Sequence, residues 1–175
     1  MNSNESETKP SIGISECLTN CIVRYDGKTQ FNQSLISYLS EKFHLVTICP
    51  EVETGLGVPR PPIELIEHAE QLRVRGRDDK TLDVTDELLS YSKQKISGLK
   101  LLSGYVFKAR SPSCGVMNTP VYNTHGELTH YGNGVFVDAL IKRYPALPII
   151  DDSLLDDKQL DLFTRKVFEY FNAKE

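Results

Sequence analysis

Apolar positions along the chain alternate between two periods, and the alternation predicts strands interleaved with helices. SIGIS (11–15) is a short, β-branched run that stops at Glu16 and Cys17, which is a strand signal. From Asn32 through Lys42, Leu35, Ile36 and Leu39 recur at helical spacing with Phe43 beyond them, so a helix is expected there. HLVTI (44–48) predicts a second strand, which ends at Cys49 and Pro50 because proline cannot continue a ladder. VPRPP marks an extended turn, and Ile63 to Leu72 is expected to form a short helix. RVRGRDDKTLDV reads as a hairpin or excursion leading to Thr85, an N-cap with Asp86 and Glu87 in the first turn. A long helix is expected from there to about Leu102, weakened near its end by Gly98.

GYVFKA (104–109) predicts a third strand running into the SPSCG turn, followed by a hairpin over 116–131. GNG (132–134) opens a helix with Phe136, Leu140 and Ile141 on one face. LPII (147–150) is the fourth strand, and Leu160, Phe163, Val167 and Phe171 mark a final amphipathic helix.

Strands separated by helical crossovers predict a single-domain, three-layer Rossmann-like α/β fold with a mostly parallel central sheet. Residues 1–10 read as a flexible N-terminus and 11–175 as the folded domain. Cys17, Cys49 and Cys114 each lie just beyond the C-terminal end of a different expected strand. Ligands bind at that edge of open parallel sheets, so three cysteines far apart in sequence are expected to converge on one point.

Composition narrows the function class. The formal net charge of −4 weakens any case for non-specific binding to nucleic acid or an anionic membrane. No apolar run approaches the ~20 residues of a membrane span, and the first ten residues show no secretory pattern, so a cytoplasmic location is expected. In that compartment the four cysteines are reduced thiols or metal ligands.

Dispersed thiolates fit zinc poorly, because structural zinc sites use closely spaced pairs, and the only close pair here is Cys17 with Cys21. They suit an iron–sulfur cluster better. Cys21 separates two kinds of site: four cysteines would close a cluster, whereas three would leave one iron open to substrate. Glu51, two residues after Cys49, is suited to proton transfer or water activation, or equally to capping. Ser111 and Ser113 flank Cys114, although turn serines more often bond the local backbone. Arg24, Arg60 and the helix opening at Gly132 and Gly134 are candidates for holding an anionic group. Arg73, Arg75 and Arg77 alternate along an extended stretch and read as a solvated face. The four histidines form no spaced ligand pair.

The stretches CLTNCIVRYDGK, CPEV followed by VPRPP, LDVT, KARSPSCG and GNGVF, in this order and spacing, resemble the successive motifs of the bacterial thiouracil desulfidase family. The resemblance runs from about Ile12 to Phe171, and the ending is similar to members in which a second domain follows, so the chain is expected to correspond to their N-terminal domain. It implies that Cys17, Cys49 and Cys114 hold a [4Fe-4S] cluster with one iron not bound by protein. It implies catalytic roles for Glu51, matching the glutamate of CPE, and for Ser111, matching the first serine of SPSCG. Arg24, Arg60, Ser113, Gly132 and Gly134 are the expected substrate-binding set. The departure from the usual pattern is CLTNC, which adds Cys21.

The implied activity is a hydrolytic, non-redox replacement of the thiocarbonyl sulfur of thiouracil or a thiouridine nucleotide by oxygen, with release of hydrogen sulfide. The expected partner is a small thiolated pyrimidine base or nucleotide; a large nucleic acid is disfavoured by the charge. The rival reading is a non-catalytic iron–sulfur or zinc binding protein acting as a sensor or partner module.

Overall fold

The computed structural model of the chain describes residues 9–174. In chain order its elements are β1 (Ser11–Ser15), α1 (Gln33–Lys42), β2 (His44–Ile48), α2 (Pro50–Glu53), β3 (Ile63–His68), β4 (Gln71–Gly76), α3 (Thr85–Ser97), β5 (Leu102–Phe107), β6 (Thr119–Tyr122), β7 (Leu128–Gly132), α4 (Val135–Arg143), β8 (Ile149–Asp151) and α5 (Asp157–Asn172). Residues 1–8 of the expected flexible N-terminus lie outside the described residues. Pro10 is already tied down, since its carbonyl accepts the His44 N–H at 2.9 Å.

The expected α/β fold is present. β2, β1, β5 and β8 form one sheet in that order, with every neighbouring pair parallel. One face is covered by α1 and α5, whose Leu35, Leu39, Leu160, Phe163 and Val167 pack on Ile12, Ile14 and Val106. The other face is covered by α3 and α4 through Ile96, Phe136, Val137 and Leu140, which meet Ile48, Tyr105 and Phe107. Burying each such side chain contributes about 1.5–3 kcal/mol, so these two layers carry most of the stabilisation. The helices start where the sequence supplies a cap: the Asn32 side chain accepts the Leu35 N–H at 3.1 Å, and Asp156 accepts that of Gln159 at 2.7 Å. Gly13 in β1 leaves room for the Tyr105 ring on the neighbouring strand, which a Cβ would strike.

Three expectations need correction. Residues 63–72 are not a helix: β3 and β4 pair antiparallel from Ile63 opposite Gly76 to His68 opposite Gln71. The two turn residues, Ala69 and Glu70, have φ of 49° and 62°. Positive φ at both centres is the mark of a type I′ hairpin turn, and here neither position carries the glycine or asparagine that would announce it. With β6 and β7 these strands form a second, mixed sheet in the order β4-β3-β6-β7, whose Leu65, Val74 and Val121 pack on Leu88 of α3 and Val135 of α4.

Thr85 is the first residue of α3, not its cap. Its hydroxyl donates to Asp83 at 2.6 Å and accepts the Val74 N–H at 2.8 Å, which joins the helix start to β4. The helix ends at Ser97, where Gly98 closes it, and Leu102 onward belongs to β5. Among the described residues no helix is long and apolar enough to cross a membrane.

Candidate active site

Parallel strands deliver their C-terminal ends to one edge of a sheet, and three of the loops leaving that edge carry a cysteine. β1 runs into a single 3-10 turn, Glu16–Leu18, which contains Cys17. β2 runs into Cys49, the residue capping α2, and β5 runs into the loop holding Cys114. All three line a single cavity of about 370 Å³. Cys49 and Cys114 are buried and Cys17 is half-buried, whereas Cys21 is exposed and does not line the cavity.

Burial raises the pKa of all three thiols, and for Cys17 and Cys114 a neighbouring sulfur adds to the effect. Cys17 is pushed up to about 12 by burial and by Cys49, with Lys108 and Arg24 opposing. Burial raises Cys49, and raises Cys114 well above its ordinary value, against the Ser15 hydroxyl that pulls it back. Such a set stays protonated until a cation takes the place of the protons.

Among the described residues no group of three or more His, Cys, Asp or Glu is gathered tightly enough to ligate one metal ion. A cluster spans several ångströms, and its ligand sulfurs stand farther apart than the ligands of a single ion. Three thiols on the wall of one cavity, with no imidazole among them, match the soft, dispersed donor set an iron–sulfur cluster takes.

Beside the thiols stands a carboxylate fixed on both oxygens. Glu51 is 8% exposed. Its Oε2 accepts from Arg60 Nε at 3.0 Å and Nη2 at 2.7 Å, and its Oε1 accepts from the Ser113 hydroxyl at 3.0 Å and, more distantly, from Ser111 at 3.5 Å. Arg60 spends its third nitrogen on the carbonyls of Val23 and Gly57 at 2.8 and 3.0 Å. Ser111 Oγ accepts the N–H groups of Ser113 and Cys114 at 3.2 and 3.1 Å, so the hydroxyl is held in a turn with only its proton to give.

The expected substrate-binding set divides. Arg24 lines the cavity, with Nε 3.3 Å from Asp26. Arg60 also lines it, but its guanidinium is committed to Glu51 and two carbonyls, which makes it a positioning group. Ser113 is fully buried behind the cavity wall. Gly132 and Gly134 do not line the cavity. The N–H groups at the start of α4 are consumed by the cysteine loop: those of residues 134, 135 and 136 donate to the carbonyls of Gly115, Pro112 and Ser113 at 2.8, 3.0 and 3.0 Å. That helix start therefore holds the SPSCG turn and has no N–H left for a phosphate. Gly134 is required there because a Cβ would strike the backbone of Ser113 and Cys114.

Sequence reasoning missed the other cations of the cavity. Lys108 lines it while its Nζ binds Asp152 at 2.8 Å, and Arg77 and Arg110 line it without a carboxylate partner among the described residues. Arg73 and Arg75, by contrast, both pair with Asp83. The alternation of Arg73, Arg75 and Arg77 signalled one shared face; what the face meets changes along it.

The sequence profile of a family described as 2-thiouracil desulfurase matches residues 12–152. A solved structure, that of the [4Fe-4S]-dependent thiouracil desulfidase TudS, is similar with a TM-score of 0.68 and 28% sequence identity, over 88% of this chain and 98% of that one. No curated protein matches the chain.

Proposed function

Because the chain belongs to the 2-thiouracil desulfurase family, we propose that it hydrolytically exchanges the thiocarbonyl sulfur of a thiolated pyrimidine for oxygen. The balance is one thiocarbonyl and one water giving one carbonyl and one hydrogen sulfide, with no net electron transfer. The observation that carries the reading is the convergence of Cys17, Cys49 and Cys114 on one cavity that also holds the Glu51–Ser111 pair.

In this reading residues 11–175 are the catalytic domain, working in a reducing compartment such as the cytoplasm. Cys17, Cys49 and Cys114 hold a [4Fe-4S] cluster. When bound there, it supplies an iron without a protein ligand, a soft Lewis acid suited to a thiocarbonyl sulfur. The exposed position of Cys21, away from the cavity, supports three ligands over four and so supports the enzyme over a non-catalytic cluster protein.

Glu51 is the general base. Arg60 occupies Oε2, so Oε1 is the oxygen left to take a proton from water aimed at the thio-substituted carbon. Ser111, with both lone pairs engaged by backbone N–H groups, is a donor. Its long 3.5 Å contact with Glu51 is the path by which the proton that Glu51 takes from water replaces the one Ser111 passes to the ring. Ser113 and Arg60 fix the carboxylate and do not touch substrate.

Arg24, Arg77 and Arg110 on the cavity wall support an anionic substrate, a thiouridine monophosphate over the free base. The test is an anaerobic assay of the reconstituted protein with thiouracil, thiouridine and its monophosphate side by side, without reductant. Equal amounts of sulfide and oxo product, fastest for the monophosphate, are expected. No turnover of any of the three by cluster-loaded protein would overturn the reading.

A further inference from the structure

Asp151, the last residue of β8, is a carboxylate that the proposed chemistry leaves unused, and it is 1% exposed. Among the described residues all its hydrogen-bond partners are neutral. Oδ1 accepts the N–H of Ser153 at 2.8 Å and the hydroxyl of the same residue, and Oδ2 accepts from Asn118 Nδ2 at 2.7 Å. The other end of that amide is spent as well: Asn118 Oδ1 accepts the backbone N–H of Arg110 at 2.9 Å. A buried carboxylate thus reaches, through one amide, the backbone of a residue that lines the cysteine cavity.

The residue held in this way has an uncommon backbone. Arg110 has φ of 61°, in the left-handed region that a β-carbon disfavours. Such a conformation persists only where its surroundings over-determine it. Here the end of β8 does so. Asp152 accepts the Ala109 N–H on Oδ1 at 2.6 Å and Lys108 Nζ on Oδ2 at 2.8 Å, so the three successive cavity-lining residues 108–110 are all tied to Asp151 and Asp152.

Ser111, the next residue, is anchored separately. Its carbonyl accepts the Gly115 N–H at 2.8 Å and the Thr119 hydroxyl at 2.9 Å, and its own oxygen accepts two N–H groups of the turn. Loosening Arg110 therefore leaves the proposed proton donor in place.

We propose that Asn118 and Asp151 are positioning residues that set the preference for an anionic substrate by holding Arg110 at the cavity, an assignment that rests on the role given above to the rim arginines. An amide suits the middle of this relay because it accepts at one end and donates at the other. Without it, residue 110 relaxes to the negative φ that arginine ordinarily adopts, and its side chain leaves in a different direction.

The experiment compares reconstituted wild type, Asn118→Ala, Asn118→Asp, the double variant Asn118→Asp with Asp151→Asn, and Arg110→Ala, on thiouridine monophosphate and on thiouracil. Asn118→Ala is expected to raise KM for the monophosphate about fivefold, with kcat and the KM for thiouracil unchanged. Asn118→Asp sets two carboxylates face to face and is expected to raise that KM and to lower the melting temperature. The double variant exchanges amide and carboxylate, keeps every hydrogen bond of the relay and the charge of the pair, and is expected to restore the wild-type KM. A merely structural role predicts instead parallel losses on both substrates. If Arg110→Ala raises KM for the monophosphate while Asn118→Ala matches wild type, or if the double variant is no better than Asn118→Asp, the positioning assignment alone is overturned. If Arg110→Ala binds the monophosphate as wild type does, the reading beneath it falls too.

Discussion

Arg60 holds Glu51 by one oxygen and leaves the other to the site: its Nε and Nη2 both reach Oε2, at 3.0 and 2.7 Å, while Oε1 turns toward Ser111 and Ser113. The pair is almost fully withdrawn from water, with side-chain exposures of 4% for the arginine and 11% for the glutamate. Removing one member of such a pair strands the other, at a cost of about 3–5 kcal/mol. The pair is therefore both a structural tie between the 51 and 60 loops and the fixture of the proposed base.

Glu51→Gln keeps size and most hydrogen bonds but cannot take a proton. Turnover is expected to fall by on the order of 100-fold or more with the cluster spectrum unchanged. Steady-state rates and absorbance on the same preparation check this. Arg60→Met and Glu51→Gln are each expected to lower thermal stability, because either one leaves a buried charge without its partner.

The cysteines make a sharper division. Cys17→Ala, Cys49→Ala and Cys114→Ala are each expected to abolish iron and sulfide uptake, while Cys21→Ala retains it. Iron and sulfide counts after anaerobic reconstitution decide the matter. In the thiol form, mass-resolved alkylation is expected to mark exposed Cys21 first and buried Cys114 last.

The rim arginines separate binding from chemistry. Arg77→Ala or Arg110→Ala is expected to raise KM for the thiouridine monophosphate roughly tenfold and to leave KM for thiouracil unchanged, since a charged hydrogen bond contributes about 1.5–3 kcal/mol. Steady-state kinetics on the two substrates read this directly. Equal effects on both would take the phosphate role away from these residues.

Stability in acid follows Asp83. In spite of some burial, its carboxyl is held down from 3.8 to about 2 by the hydroxyl and N–H of Thr85 and by Arg73 and Arg75. A folded-state value below the unfolded one contributes stability that is present above the unfolded value and lost as pH falls through the folded one. The melting temperature of wild type is expected to drop between about pH 4 and pH 2, and Asp83→Asn to flatten that limb while lowering stability at neutral pH. Thermal melts across that range measure both.

The strand ends at Cys17, Cys49 and Cys114 were legible because each strand is a short β-branched or apolar run broken by a polar residue, a proline or a turn, and parallel topology then forces the three ends to one edge. The β3–β4 hairpin was not legible. Ala69 and Glu70 occupy positive-φ positions without the residues that normally mark them, and the apolar run of Ile63, Leu65 and Ile66 fits a short helix as readily. The arginines show a second limit. Sequence spacing assigned Arg60 to substrate, yet only the fold brings it to Glu51 and spends all three of its nitrogens. The glycines before α4 signalled a helix start correctly, but not that the cysteine loop would occupy its N–H groups.

The measurement closest to the central claim is turnover of the reconstituted protein in ¹⁸O-labelled water, under anaerobic conditions and without any electron donor. The account predicts one labelled oxygen at the former thiocarbonyl carbon of the product, with one sulfide released for each molecule turned over. A requirement for a reductant, or a product oxygen that does not come from water, would contradict it.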